Sequence, residues 1–241
     1  MNFKLEVIGF TIDACMQAQA AGVHRIELCD NVGEGGTTPS HGFIKTAREK
    51  LHIDLYPMIR PRGGDFLYSD EEFEMMQTDI KLCKQLGCNG VVFGMLHANG
   101  AVDKKRMSSL VELAYPMGVT MHRAFDRTAD VFQALEDAID TGCERILTSG
   151  QKPNAMDGAN LIAQLIQQAD DRIILMPGSG LKSSNVAELA TMTGAREFHT
   201  SARADAESKM SFINPAMNEK MRSVSVNTDE IKKIMDNLKD L

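Results

Sequence analysis

The 241-residue chain predicts a (β/α)8 TIM barrel folded as a single domain over residues 1–241. Three observations carry that expectation. Short β-type runs alternate with longer helical runs from end to end, eight such strands can be counted, and polar residues decorate the C-terminal ends of strands spread along the whole sequence. An open doubly wound sheet would also accept the alternation. Its nucleotide site is normally announced by a glycine-rich first turn, and here that turn reads VIGFTID.

The strands read, in order, FKLEVI from Phe3, RIELC from Arg25, IDLYPMI from Ile53, GVVFG from Gly90, VTMHR from Val119, RILTS from Arg145, IILMP from Ile173 and EFHTS from Glu197. The helices between them carry local start signals. Thr38-Pro39 offers a capping oxygen and a proline at the first helical position. Ser69 followed by Glu72 is a capping box, after which Phe73, Met76, Ile80 and Cys83 recur on one face until Gly87. Leu161, Ile162, Leu165, Ile166 and Ala169 mark a later helix, and Ile231, Ile234, Met235 and Leu238 the last. Residues 203–227 form a long connection between the eighth strand and that helix, a length typical of lids, partner-contacting arms or disordered loops.

Composition narrows the function. With 43% hydrophobic and 24% charged residues, and no run near the ~18–20 apolar residues of a membrane span, the chain reads as soluble. A net charge of −7 without a basic stripe argues against nucleic acid or an anionic membrane as partner. No export signal is visible at MNFKLEVIGF, and the odd count of five cysteines suits reduced thiols in the cytoplasm. Cys83 and Cys88 lack a second Cys/His pair at zinc spacing.

Strand alternation predicts which side chains face the barrel axis. If Leu5, Val7, Ile26, Leu28 and Ile59 face the helices, then Glu6, Arg25, Glu27, Cys29, Met58 and Arg60 face inward, with His122, Glu197, His199 and Ser201 by the same count. So polar an interior is either a mutually satisfied ion network that supports the fold or a pocket for acid/base chemistry.

Four motifs sharpen the choice. NVGEGGTTPS, residues 31–40, places glycines and hydroxyls before a helix, where amides can cradle an anion. PGSGL closes the seventh strand with Gly178 and Gly180, where many barrels hold phosphate. MHRAFDR sets His122, Arg123 and Asp126 within one turn, as a base with an orienting carboxylate or as a His–Asp salt link that holds a loop. MIRPRGGDF holds Arg60 and Arg62 near Asp65, a candidate grip for a carboxylate or phosphate. Cys29 is either a small buried thiol or a ligand for Cu(I), with Met58, Met176 or His199 as conceivable helpers.

The ordered series RIELC, GGTTPS, MIRPRGGDF, VVFG, HRAFD, ILTSG, MPGSG and EFHTSAR, from about Glu6 to Arg203, resembles the CutC family, the so-called copper homeostasis proteins. The resemblance implies a TIM barrel, a cytoplasmic location, a homodimer or higher homo-oligomer, and a role in copper handling that is disputed within the family. It marks Glu27, Cys29, Arg60, Arg62, Asp65, His122, Arg123, Asp126 and His199 as barrel-mouth positions. Ile8 and Thr200 stand where members often carry further cysteines, which leaves Cys29 alone as the candidate metal ligand. The family's name makes Cu(I) binding or handling the leading expectation, although a lone thiolate is a weak design for holding copper. The alternative is an enzyme acting on a small anionic metabolite, with Glu27 and His122 catalytic and Arg60, Arg62, Asp65, Arg123, Asp126, His199, Ser201, Gly178 and Gly180 binding the ligand.

Overall fold

The computed structural model describes residues 3–219 and 221–241. Eight parallel strands form the ring: β1 (Lys4–Gly9), β2 (Arg25–Leu28), β3 (Asp54–Pro57), β4 (Gly90–Phe93), β5 (Gly118–Met121), β6 (Arg145–Thr148), β7 (Ile174–Pro177) and β8 (Glu197–Thr200). Ladders run β3-β2-β1-β8 on one half and β4-β5-β6-β7 on the other. A parallel bridge between Met58 and Val92 joins the halves at one seam. At the other seam β7 packs beside β8. The helices α1 (Ile12–Ala20), α2 (His41–Lys50), α3 (Asp70–Gln85), α4 (Lys104–Ala114), α5 (Val131–Asp140), α6 (Ala159–Ala169), α7 (Val186–Thr193) and α8 (Thr228–Lys239) surround the strands.

Local chemistry explains where the helices start. Side chains of Thr11, Ser40, Ser69, Asp103, Asp130 and Asn227 each accept an N–H from the first turn that follows them, contributing about 1 kcal/mol apiece. Both arms of the Ser69–Glu72 capping box are formed. The cap expected at Thr38 is displaced: α2 begins at His41 with Ser40 as its cap. The Thr38 hydroxyl instead accepts the backbone N–H of Arg60 at 2.9 Å. A tertiary hydrogen bond has taken the oxygen that local sequence assigned to the helix.

The alternation expected from sequence is present. Leu5, Val7, Ile26, Leu28 and Ile59 face outward and are fully buried against helical residues such as Ile44, Met76 and Ile80, each burial contributing roughly 1.5–3 kcal/mol. What remains inside is charged. At the lower end, Arg25 pairs with Glu6 and donates to Glu197 at 2.8 Å. Arg145 donates to the same Glu197 oxygen at 2.6 Å and to the Thr120 hydroxyl at 3.3 Å. The Tyr56 ring lies 5.0 Å from the Arg25 guanidinium and 5.7 Å from that of Arg145, and its hydroxyl donates to Glu144. This layer forms a closed floor; above it a smaller apolar set, Cys29, Tyr56, Met58 and Val92, fills the axis.

The long connection after β8 is not a bare loop. It holds an antiparallel hairpin, β9 (Arg203–Glu207) and β10 (Arg222–Val226), in register from Arg203 opposite Val226 to Glu207 opposite Arg222. The hairpin leans on α1, where the Thr11 hydroxyl donates to the Val224 carbonyl.

Candidate functional site at the barrel mouth

Above the floor a cavity of about 270 Å³ opens at the C-terminal ends of the strands. Glu27 and His199 line it from β2 and β8, and Arg60, Phe66 and His122 line it from the loops after β3 and β5. The strands deliver these groups because each ladder continues one or two residues past its regular end. The Cys29 N–H reaches the Gly9 carbonyl at 2.9 Å, and the His122 N–H reaches the Phe93 carbonyl at 3.0 Å.

His122 is a neutral donor. Its Nδ1 accepts the Ala124 N–H at 3.2 Å, which leaves the ring proton on Nε2. That Nε2 is buried and has no partner. Burial, helped by the positive charge of Arg60, pushes the imidazole down to about 3. Phe66 packs on the ring with centroids 4.8 Å apart.

Arg60 is 5% exposed. Its terminal nitrogens donate to the carbonyls of Glu34, Gly36 and Gly64 at 2.7, 2.9 and 2.8 Å, so every partner is neutral. Its Nε has no partner among the described residues. Among the described residues no carboxylate lies within ion-pairing distance of this guanidinium. The same geometry corrects the reading of NVGEGGTTPS as an anion cradle: the turn presents carbonyls to a cation, not amides to an anion.

Glu27 is the acidic counterpart. Burial, reinforced by Glu6 and opposed by His199, raises its carboxyl to about 7. Its Oε1 is buried without a partner, and its Oε2 lies 3.8 Å from His199 Nε2. The other His199 nitrogen meets Glu6 at 2.7 Å. Burial opposes a charge on His199, but Glu27 and Glu6 outweigh it and raise its pKa. Glu6 is likewise desolvated, yet Arg25 and His199 bring it down to about 2. Glu6, His199 and Glu27 thus form a carboxylate–imidazole–carboxylate chain ending at the cavity. Their donor atoms lie within 4.8 Å of one another, close enough for a metal ion. Both Glu6 oxygens and His199 Nδ1 are already committed, however, and oxygen donors do not suit Cu(I).

Of the residues singled out from sequence, Glu27, Arg60, His122, Arg123, His199, Gly180 and Ser201 meet at the cavity. Others do not. Arg62 turns away to bond Glu72 at 2.5 Å and Asp65 at 3.0 Å and lies over the Tyr68 ring. Asp65 is spent on that pair and is largely exposed. Asp126 does not orient His122; it pairs with Arg123 at 2.7 Å and takes hydrogen bonds from Thr148, Ser149 and Gln151, holding the loop after β6. Gly178 makes room: a Cβ there would sit 2.5 Å from Leu147 Cδ1 and 3.1 Å from His199 Cβ.

Cys29 lies inside the barrel, packed with Met58 and Val92 and fully buried. A Cβ at Gly36 would be 3.0 Å from its Sγ and 3.6 Å from Met58 Cε, so the two sulfur-bearing side chains share one small space. Burial and the neighbouring Glu27 and Glu6 push the thiol well up, against the thiolate that Cu(I) binding requires. Met176 is engaged by Arg25 at 3.4 Å and His199 by Glu6. The donor set therefore fits Cu(I) poorly.

Sequence reasoning missed Phe66 and Arg203 at the mouth, and Arg145 in the floor. Arg145 was readable: RILTS starts with arginine at the same strand position as RIELC.

The CutC family model matches residues 3–204. The chain belongs to the CutC family. A "family protein CutC" from Parabacteroides distasonis is 50% identical over 215 residues, covering 89% of this chain and 88% of the relative. A "Copper homeostasis protein cutC homolog" from Mus musculus is 46% identical over 216 residues, 90% and 79% of the two chains. A solved structure named as copper homeostasis protein CutC of Streptococcus agalactiae superposes with a TM-score of 0.79 at 31% identity, covering 82% of this chain and 98% of that one. Phosphoribosylanthranilate isomerase from Thermotoga maritima, with a TM-score of 0.59 at 12% identity, shares the barrel alone.

Proposed function

We propose that this CutC-family protein is an enzyme whose barrel mouth binds a small anionic metabolite and moves protons on it. One observation carries the reading: Glu27 Oε1, Arg60 Nε and His122 Nε2, three of the four buried side-chain polar atoms without a partner among the described residues, belong to side chains that line one cavity. An unpaired buried polar atom costs about 1–3 kcal/mol, a cost that a ligand's complementary groups remove. A cavity of about 270 Å³ suits a small metabolite better than a nucleotide. Arg203 and Arg123 at the rim add positive charge for the ligand's anionic end. Thermal-shift screening with small carboxylates and phosphate esters tests the reading, since binding must raise the melting temperature and Arg60→Met must abolish that rise. A screen in which no such anion binds removes the proposal.

Copper handling is the second reading. It is supported by the names of the mouse relative and the Streptococcus agalactiae structure and by the proximity of Cys29 to Met58. It expects stoichiometric Cu(I) capture against a chromogenic chelator, lost in Cys29→Ser. Weak capture unchanged by that substitution rejects it.

A cytoplasmic location and a homodimer or higher homo-oligomer are also proposed. Supporting the first, all five cysteines are free and buried, and no helix among the described residues is long and apolar enough to cross a membrane. Supporting the second, the hairpin connection exposes Phe212 at 71% and Met217 at 60%.

A further inference from the structure

We propose that the chemistry at the mouth is proton abstraction next to a carbonyl group, and that the substrate class is a small carbonyl compound with an α-hydrogen and an anionic end. This inference rests on the enzyme reading above and names its reaction.

The polar groups that line the cavity differ in kind. Two N–H donors without a partner among the described residues, His122 Nε2 and Arg60 Nε, belong to side chains that line the cavity and both pack on Phe66, with the guanidinium 5.0 Å and the imidazole 4.8 Å from its ring centroid. A neutral imidazole N–H does not attract a preformed anion strongly, but it stabilises an oxygen that gains charge during a reaction. The guanidinium beside it holds a positive charge balanced by no carboxylate, so negative charge appearing on that oxygen meets a ready counter-charge. The acidic group lining the cavity is Glu27, whose Oε1 has no partner among the described residues and which is backed by His199 and Glu6.

The step balances without a further reactant. The α-proton passes from carbon to Glu27 Oε1, and the C–H electron pair becomes the new C=C bond. The carbonyl π pair moves onto oxygen, where His122 Nε2–H and Arg60 Nε–H bind the enolate. Return of the proton from Glu27 to the same or the neighbouring carbon gives exchange, epimerisation or isomerisation. Nucleophilic alternatives lack their parts. Cys29 is fully buried, does not line the cavity and is held as a thiol, and among the described residues neither Ser179 nor Ser201 at the rim hydrogen-bonds a histidine or carboxylate that could activate it.

Proton NMR in D2O with the whole chain tests the inference, using dihydroxyacetone phosphate, ribulose 5-phosphate, pyruvate and 2-oxoglutarate as probes. Thermal shift first establishes which of them bind. A bound probe is expected to lose its α-hydrogen faster than in buffer, with the rate falling about 10²–10⁴-fold in Glu27→Gln while binding persists. His122→Gln, whose amide N–H can still donate, is expected to exchange faster than His122→Phe. Glu27→Asp, which retracts the carboxylate but keeps it, should retain a slow exchange and guards against loss through misfolding. Binding without exchange in the wild-type protein overturns the carbonyl chemistry and leaves the binding site standing. Exchange unaffected by Glu27→Gln overturns it as well. No binding by any probe, together with a negative screen of carboxylates and phosphate esters, overturns both readings.

Discussion

Arg25 in the floor and Arg60 at the mouth are both guanidiniums at 5% exposure or less. They are treated in opposite ways. Arg25 meets two carboxylates, Glu6 and Glu197, and Arg145 shares the second of them. Arg60 meets three neutral carbonyls and keeps an idle Nε. The carboxylates divide likewise: Glu6 is held down to about 2 and Glu27 is raised to about 7. Charge that is cancelled internally serves the fold, whereas charge left without a partner at an opening is available to something else. The sequence posed these as rival accounts of one polar interior. The structure shows a satisfied layer beneath an unsatisfied one.

Mutations can break that contrast. The largest effect is expected in the floor: Glu197→Ala leaves Arg25 and Arg145 short of their shared counter-ion in a fully buried layer, and chemical denaturation should record a loss of about 3–5 kcal/mol. Glu27→Gln is expected to change stability by less than about 1 kcal/mol, or to raise it, because it removes a desolvated carboxyl with an unpaired oxygen. Comparable losses in the two variants would erase the distinction between floor and mouth.

Titration sharpens it. Glu6, lowered from 4.5 to about 2, contributes stability above its unfolded pKa that is lost as pH falls through the folded one. Glu27, raised from 4.5 to about 7, contributes stability at low pH that is lost as pH rises through about 7. The groups facing Glu27 are Glu6 on β1, Arg25 and Cys29 on the β2 side, and His199 on β8, and His199 loses its own contribution in the same direction as pH rises. Urea unfolding between about pH 5 and about pH 8 should therefore show stability falling in the wild type and a flatter profile in Glu27→Gln. A steeper profile in the variant would contradict the assignment.

The smallest effect is expected at Arg62. Its partners Asp65 and Glu72 are on the surface side of the loop and it does not line the cavity. Arg62→Ala should cost about 1 kcal/mol or less and leave ligand thermal shifts unchanged. A lost thermal shift would return Arg62 to the mouth.

Much of this was legible beforehand. Period-two alternation correctly turned Glu6, Glu27, Met58 and His199 inward, because that rule depends only on the pleat. The Ser69 capping box formed as read for the same reason, its chemistry being local. What failed depended on competition between partners. Arg60 and Arg62 are two residues apart in MIRPRGGDF, yet Asp65 and Glu72 hold the second and only the first reaches the cavity. Thr38 was assigned a local partner and found a distant one in Arg60, while Asp126 passed over His122 for its neighbour Arg123 and for the loop after β6. No sequence pattern shows which of two eligible acceptors a donor will choose.

The closed floor has a further consequence, for traffic. With Arg25, Arg145, Tyr56 and Glu197 sealing the axis, the cavity is a cup with one doorway, and Arg203 at the root of the hairpin stands at its edge, over Phe10. Whatever enters leaves by the same route. On the enzyme reading proposed above, substrate and product share that opening, so each product must leave before the next substrate can be seated.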